Sequence, residues 1–172
     1  MRGVKATMYK QRANKNPDVS FHYTDEDLAI DCLKLVDYKE GDVVLDVGRG
    51  NNWVWFNNIK SKNKDWVEIE EGRDFFEYNK RVDWCVGNPP YKLLWKMIEK
   101  SCDISNKGFG FLIAINGMNM MTPKRLEWLK QRGFFLSKIM IVTCKRWYGR
   151  YFFVIFSKSN GGFLTWSQKN YK

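Results

Sequence analysis

The sequence predicts an α/β domain, a mostly parallel sheet with helices on its faces and an antiparallel pair closing it near the C-terminus. Three observations carry that expectation. The apolar run at 43–47 leads through Asp46 into Gly48-Arg49-Gly50-Asn51-Asn52 and an aromatic helical stretch at 53–59. A strand, an acid and a glycine loop before a helix form the entry to a doubly wound sheet. A second apolar run, 82–87, stops at Asn88-Pro89-Pro90-Tyr91, because prolines cannot donate to a sheet ladder. The carboxyl edge of such a sheet, where ligands bind, therefore receives an amide, rigid carbonyls and an aromatic ring. Finally, the β-rich runs 135–142 and 150–157, joined by 143–149, read as an antiparallel hairpin.

Taken in order, residues 1–20 are basic and polar and read as an arm. Thr24-Asp25-Glu26-Asp27 begins a helix, with Thr24 as N-cap and acids in the first turn. Its apolar stripe is Leu28, Ala29, Cys32, Leu33, Leu35 and Val36, and Gly41 closes it. In the glycine loop Asn51 and Asn52 can supply positive φ. Residues 64–70 are the second strand, and too little chain lies between 68 and 83 for a helix, a strand and another helix, so a third strand is missing or vestigial. After Tyr91, Leu93, Leu94, Met97, Ile98 and Cys102 recur at helical spacing as a core stripe. Residues 109–115 are a strand, 116–121 a Met- and Asn-rich loop, and Thr122-Pro123 caps a helix to 131. The Gly-rich tail from 160 gives no signal.

Composition narrows the function. With 172 residues the chain suits one domain. Hydrophobic content of 44% is globular, and Lys plus Arg at 29 against Asp plus Glu at 19 leaves +10, which favours a polyanionic partner, nucleic acid above all. Cys32, Cys85, Cys102 and Cys144 are scattered and the one histidine is His22. No zinc-type spacing results, no metal is expected, and free thiols in a reducing compartment are. There is no apolar leader and no membrane-length run, so a soluble intracellular protein is expected.

The chemistry of Asn88-Pro89-Pro90-Tyr91 is specific. A nucleobase amine conjugates its lone pair into the ring and is a poor nucleophile. Two acceptors, the Asn88 side-chain oxygen and the Pro89 carbonyl, would hold its N–H groups and favour a pyramidal nitrogen. The Tyr91 ring could stack on the base. Positioning suffices, without a metal or a strong base.

This tetrapeptide resembles motif IV of the S-adenosylmethionine-dependent amino-methyltransferases, especially the adenine-N6 DNA methyltransferases. It also occurs in enzymes that methylate glutamine side chains. The resemblance implies a single Rossmann-like class I methyltransferase domain, in which Asp46, Gly48 and Gly50 resemble motif I, the loop around the methionine end of the cofactor. Arg49, Asn51 and Asn52 depart from the family's glycine-rich pattern. Phe21-His22-Tyr23-Thr24 resembles motif X, which places Tyr23 and Thr24 against the same end of the cofactor. Glu68, with Glu70 as alternative, would accept from the ribose hydroxyls; Asp74 would meet the adenine amine and Phe75 its ring. Between the hairpin strands, Lys145 and Arg146 interleave with Trp147 and Tyr148, a composition that contacts phosphates and stacks bases. The resemblance places Trp147, or else Tyr148, on the other face of a flipped base.

The reading is methyl transfer from S-adenosyl-L-methionine to adenine N6 in DNA. RNA adenine methylation, glutamine methylation and a non-catalytic nucleic-acid-binding module are its alternatives. No target-recognition domain is expected after the hairpin, so recognition is expected to be loop-borne, slight, or supplied by a partner or self-association.

Overall fold

The computed structural model describes residues 24–144, 149–159 and 164–171. Seven strands form one sheet: β1 (Val44–Asp46), β2 (Lys64–Trp66), β3 (Val82–Gly87), β4 (Ser105–Ala114), β5 (Phe135–Cys144), β6 (Arg150–Ser157) and β7 (Thr165–Tyr171). Their spatial order is β2-β1-β3-β4-β6-β5-β7. All pairs are parallel except β4–β6 and β5–β6, so β6 alone runs against the rest. Five α-helices accompany them among the described residues: α1 (Glu26–Leu35), α2 (Val54–Asn58), α3 (Leu94–Ile104), α4 (Ile115–Asn119) and α5 (Pro123–Gln131).

The central strands alternate their apolar residues between two cores, as the two-residue strand period requires. On one face Val44, Trp84, Leu112 and Phe153 pack with Leu28, Ala29, Cys32 and Leu33 of α1 and Trp55 of α2. On the other, Leu45, Cys85, Phe111 and Val154 pack with Leu94, Met97, Ile98 and Cys102 of α3 and Leu129 of α5. Cys32, Cys85 and Cys102 are buried free thiols. The chain steps from β1 outward to β2, then back across β1 to β3. That reversal opens a crevice at the carboxyl ends of β1 and β3, the topological switch point at which such sheets bind ligands.

Several expectations hold. Thr122 Oγ1 accepts from the Arg125 N–H at 3.4 Å with Pro123 in the first turn. Among the described residues β2 is an edge strand, so the third strand is indeed missing. Other expectations need correction. Thr24 does not cap α1; Asp25 occupies the N-cap, and its side chain makes no capping hydrogen bond. The helix already stops at its C-cap Val36, so Gly41 does not end it. The second strand ends at Trp66, because the chain turns into a 3-10 segment at Ile69–Glu71. Residues 115–119 are helical, where the composition predicts a loop. The only positive-φ non-glycine residue among those described is Trp53 (φ 55), not Asn51 or Asn52.

The expected tail is a strand as well. β7 pairs in parallel with β5 from Lys138↔Thr165 to Cys144↔Tyr171, and Tyr171 Oη donates to Asp31 of α1 at 2.9 Å. No helix among the described residues is long and apolar enough to cross a membrane.

Candidate active site

The switch-point crevice is built from the segments at the ends of adjacent strands. Asp46 ends β1 and is fully buried. Its Oδ1 accepts from the Gly48 N–H at 3.2 Å, while Oδ2 has no hydrogen-bond partner. Burial pushes its carboxyl up to about 7; the Glu68 charge adds to that rise, and the Gly48 and Phe56 N–H groups and the Arg49 charge oppose it. A buried carboxylate oxygen without a donor costs free energy that a ligand ammonium or hydroxyl would recover.

The glycine loop is pinned from the neighbouring strand. Glu68 Oε2 accepts from the Gly50 N–H at 2.8 Å and its Oε1 from the Glu70 N–H at 3.3 Å. One carboxylate thus joins the loop after β1 to the 3-10 segment after β2. Gly50 has φ +63, which glycine adopts without a Cβ penalty. A Cβ built on Gly48 would meet nothing within 4 Å, so this loop presents bare backbone to open space.

In sequence Arg49 is only a departure from the glycine-rich pattern; in the fold it has a structural task. Its side chain is 2% exposed. The guanidinium lies 3.4 Å from the Trp53 ring centroid and 4.3 Å from that of Trp66, and it pairs with Glu71. Arg73 covers Trp66 at 3.8 Å. These cation–π contacts clamp the loop to the end of β2. Tryptophans close after the loop and at the end of the next strand are the signal that could have found this role.

On the β3 side, Gly87 has φ +147, and a Cβ there would stand 3.3 Å from Asp46 Oδ1 and 3.2 Å from Val47 Cγ2. The absence of a side chain lets the Asn88-Pro89-Pro90-Tyr91 turn start directly against the Asp46 carboxylate. Asn88 Nδ2 donates to Thr24 Oγ1 at 3.4 Å, and Trp55 Nε1 donates to the same hydroxyl at 3.1 Å. Thr24, 5% exposed, is therefore a buried hub that joins the Asn88 amide to Trp55 of α2. Tyr91 is half-buried; its ring lies 6.4 Å from that of Tyr151, and its hydroxyl is buried without a partner. Burial, with the neighbouring Tyr151, raises its phenol above the ordinary range.

At the far wall Asp74 caps the 3-10 segment Phe75–Glu77, its Oδ1 accepting from the Phe76 N–H at 2.9 Å. Phe75 is 5% exposed and packs into the core with Phe76 edge-on at 5.9 Å. Phe76, partly buried, is the ring nearer the surface. The structure thus gathers Thr24, Asp46, Gly48, Gly50, Glu68 and Asn88 around one crevice. Asp74 and Phe75 sit on the loop beyond it. Tyr23, Lys145, Arg146, Trp147 and Tyr148 lie outside the described residues. Among the described residues no group of three or more His, Cys, Asp or Glu could hold a metal ion.

No protein-family model matches the sequence, and no curated protein matches it. Solved structures do match the fold. A candidate class I S-adenosylmethionine-dependent methyltransferase from Listeria monocytogenes aligns with TM-score 0.67 at 13% identity, over 96% of this chain and 72% of its own. A candidate RNA methyltransferase from Pyrococcus horikoshii aligns with TM-score 0.66 at 21% identity, over 84% and 91%. The modification subunit of a candidate type I restriction enzyme from Vibrio vulnificus YJ016 aligns with TM-score 0.59 at 13% identity, over 97% of this chain and 51% of that one. The strand order, the antiparallel β6 and these likenesses together give the chain the Rossmann-like fold of class I methyltransferases.

Proposed function

We propose that this protein is an enzyme that transfers a methyl group from S-adenosyl-L-methionine to the N6 amine of adenine in DNA. One observation carries the reading: Gly87 brings the Asn88-Pro89-Pro90-Tyr91 turn against Asp46 of the glycine loop, within 3.3 Å of where its own Cβ would be. An amine held at that turn would stand beside whatever the glycine loop holds.

The residues fit the cofactor. Asp46 Oδ2 is a buried acceptor without a donor, suited to the ammonium of the methionine moiety. Gly48 and Gly50 leave backbone free to approach it. Glu68, already accepting from Gly50 and Glu70, keeps lone pairs for ribose hydroxyls, and Asp74 with Phe76 stands at the adenine end. Phe75, expected on that ring, is committed to the core, so Phe76 takes its place in the proposal. When bound, the cofactor supplies an electrophilic methyl group.

The remaining work belongs to this chain. Asn88 Oδ1 and the Pro89 carbonyl accept the two N–H groups of the base and localise its lone pair. Thr24 fixes the Asn88 amide through Nδ2. Pro89 and Pro90 hold the turn rigid. Tyr91, backed by Tyr151, offers a ring edge to the base, while Trp147 or Tyr148 covers its other face and Lys145 and Arg146 meet phosphates. Tyr23, by the resemblance, would lie against the methionine end. The base is flipped out or taken from a single strand.

RNA is the second reading, favoured by one observation: the Pyrococcus horikoshii candidate RNA methyltransferase matches over 91% of its length, the restriction-enzyme subunit over 51% of its own. Incubating DNA and RNA separately with methyl-labelled cofactor separates the two. Labelled N6-methyldeoxyadenosine supports the DNA reading, and label confined to RNA overturns it.

A further inference from the structure

We propose that the exposed side of α3, with the amino end of α5, is the bed on which the phosphate backbone of the acceptor nucleic acid lies. The inference rests on the methyl-transfer reading and names the surface that reading requires. Helix α3 begins three residues after Tyr91 and runs back from the carboxyl edge of the sheet. Its buried face is Leu94, Met97, Ile98, Ser101 and Cys102. Lys92, in the 3-10 turn Tyr91–Leu93 that leads into the helix, and Lys96 are exposed, and half-buried Lys100 follows at the same four-residue spacing. Lys96 and Lys100, four apart, lie on one side of the helix about 6 Å apart along its axis, and Lys92 precedes them beside the catalytic turn.

A second element widens this surface. Arg125 of α5 lies 4.4 Å from the Trp95 ring centroid, and Trp128 meets Trp95 edge-on at 5.4 Å. These contacts bring exposed Lys124, the neighbour of Arg125, to the side of α3. Arg125 Nη1 donates to the Met120 carbonyl at 3.0 Å, which ties this corner to α4 at the carboxyl end of β4. Gly117 of α4 in turn packs on Leu94, where a Cβ would come within 2.9 Å. The surface is therefore rigidly joined to the turn that presents Asn88.

Charge identifies the occupant. Several cations are neutralised within the fold: Lys107 pairs with Asp42, Arg73 with Asp65, Lys138 with Asp37 and Lys34 with Asp31. Lys92, Lys96, Lys100 and Lys124 meet no carboxylate within ion-pair distance among the described residues. Four unneutralised cations clustered beside a base-holding turn suit a polyanion such as a nucleic-acid backbone.

The test replaces Lys92, Lys96, Lys100 and Lys124 together by glutamine and follows binding of a fluorescein-labelled adenine-containing oligonucleotide by anisotropy across a salt series. The log–log salt slope should fall by about three units, at about 0.7–0.9 for each phosphate no longer neutralised. The corresponding Lys→Arg variant should keep the slope, and Lys39→Gln with Lys60→Gln, distant from the turn, should leave it unchanged. S-adenosylmethionine affinity by calorimetry should be unaltered in all three, which also reports that each is folded. An unchanged slope in the glutamine variant, with labelled methyl still transferred to nucleic acid by the wild type, overturns this surface and leaves the methyl-transfer reading standing. Wild-type protein that binds cofactor but neither binds oligonucleotide nor methylates it overturns both. Lysine-dependent binding to phosphatidylserine-containing vesicles without oligonucleotide binding overturns the surface in favour of a membrane headgroup.

Discussion

Replacing Asp46 by asparagine should raise the stability of the ligand-free protein above neutral pH and remove its cofactor binding. The magnitude follows from the burial of that carboxyl. Its pKa stands at about 7 in the fold against 3.8 for the free group. A folded pKa above the unfolded one means that the folded chain holds a proton the unfolded chain has lost. Stability is therefore highest below about pH 4 for this group, falls as pH rises, and is fully reduced above about pH 7. A shift of about three units corresponds to about 4 kcal/mol. Asparagine abolishes that dependence while its Oδ1 keeps the bond from Gly48. Its Nδ2 takes the place of the unpartnered Oδ2, and a buried unpaired donor costs about 1–3 kcal/mol. The variant should thus be more stable than wild type by about 1–3 kcal/mol at pH 8 and, near pH 4.5, where wild type has lost only about 1 kcal/mol of this contribution, equal to it or less stable by up to about 2 kcal/mol. Urea unfolding at the two pH values reads both differences. Parallel pH dependences in the two proteins would refute the reasoning, because Asp46 would then not be the titrating group.

Other consequences follow. If Asp46 meets an ammonium, S-adenosylmethionine binding at pH 7 should release about half a proton from a carboxyl poised near that pH, which calorimetry in buffers of different ionisation enthalpy measures. Asn88→Ala should leave cofactor affinity nearly intact and lower turnover by about 10²–10³, the scale of losing one aligned polar partner in a transition state, as seen in single-turnover assays. Tyr91→Phe should retain activity and gain about 1 kcal/mol in urea unfolding, because the hydroxyl it removes is buried without a partner; Tyr91→Ala should be severely impaired in both. Arg49→Ala should cost about 2–4 kcal/mol in the same assay, since a filled slot between Trp53 and Trp66 is emptied.

Much of this arrangement is legible in the sequence because strand ends carry their own punctuation. The Pro89-Pro90 pair stops β3 in sequence as it does in space, and Gly48 and Gly50 mark the loop after β1. The amphipathic spacing of Leu94, Met97, Ile98 and Cys102 announces α3, and Thr122-Pro123 announces α5. What escapes is non-local. Thr24 has the composition of an N-cap, but its hydroxyl serves Trp55 and Asn88, 31 and 64 residues away. Glu68 is expected to face a ribose, and the glycine loop already uses one of its oxygens. Phe75 and Phe76 are indistinguishable by type, and only the turn of the 3-10 segment sends the first inward. β7 stays hidden because an edge strand of Thr, Ser, Gln, Lys and Asn has no apolar run to announce it.

The central claim is methyl transfer to a base amine, and one measurement tests it most directly. Wild-type protein is incubated with DNA and RNA in separate reactions with S-adenosylmethionine carrying a labelled methyl group, and the digested nucleosides are resolved by mass spectrometry, with Asn88→Ala in parallel. Label is expected at N6 of deoxyadenosine in the wild-type reaction, reduced by about 10²–10³ in the variant. Label absent from both nucleic acids while the cofactor binds, or equal labelling by Asn88→Ala, would contradict it.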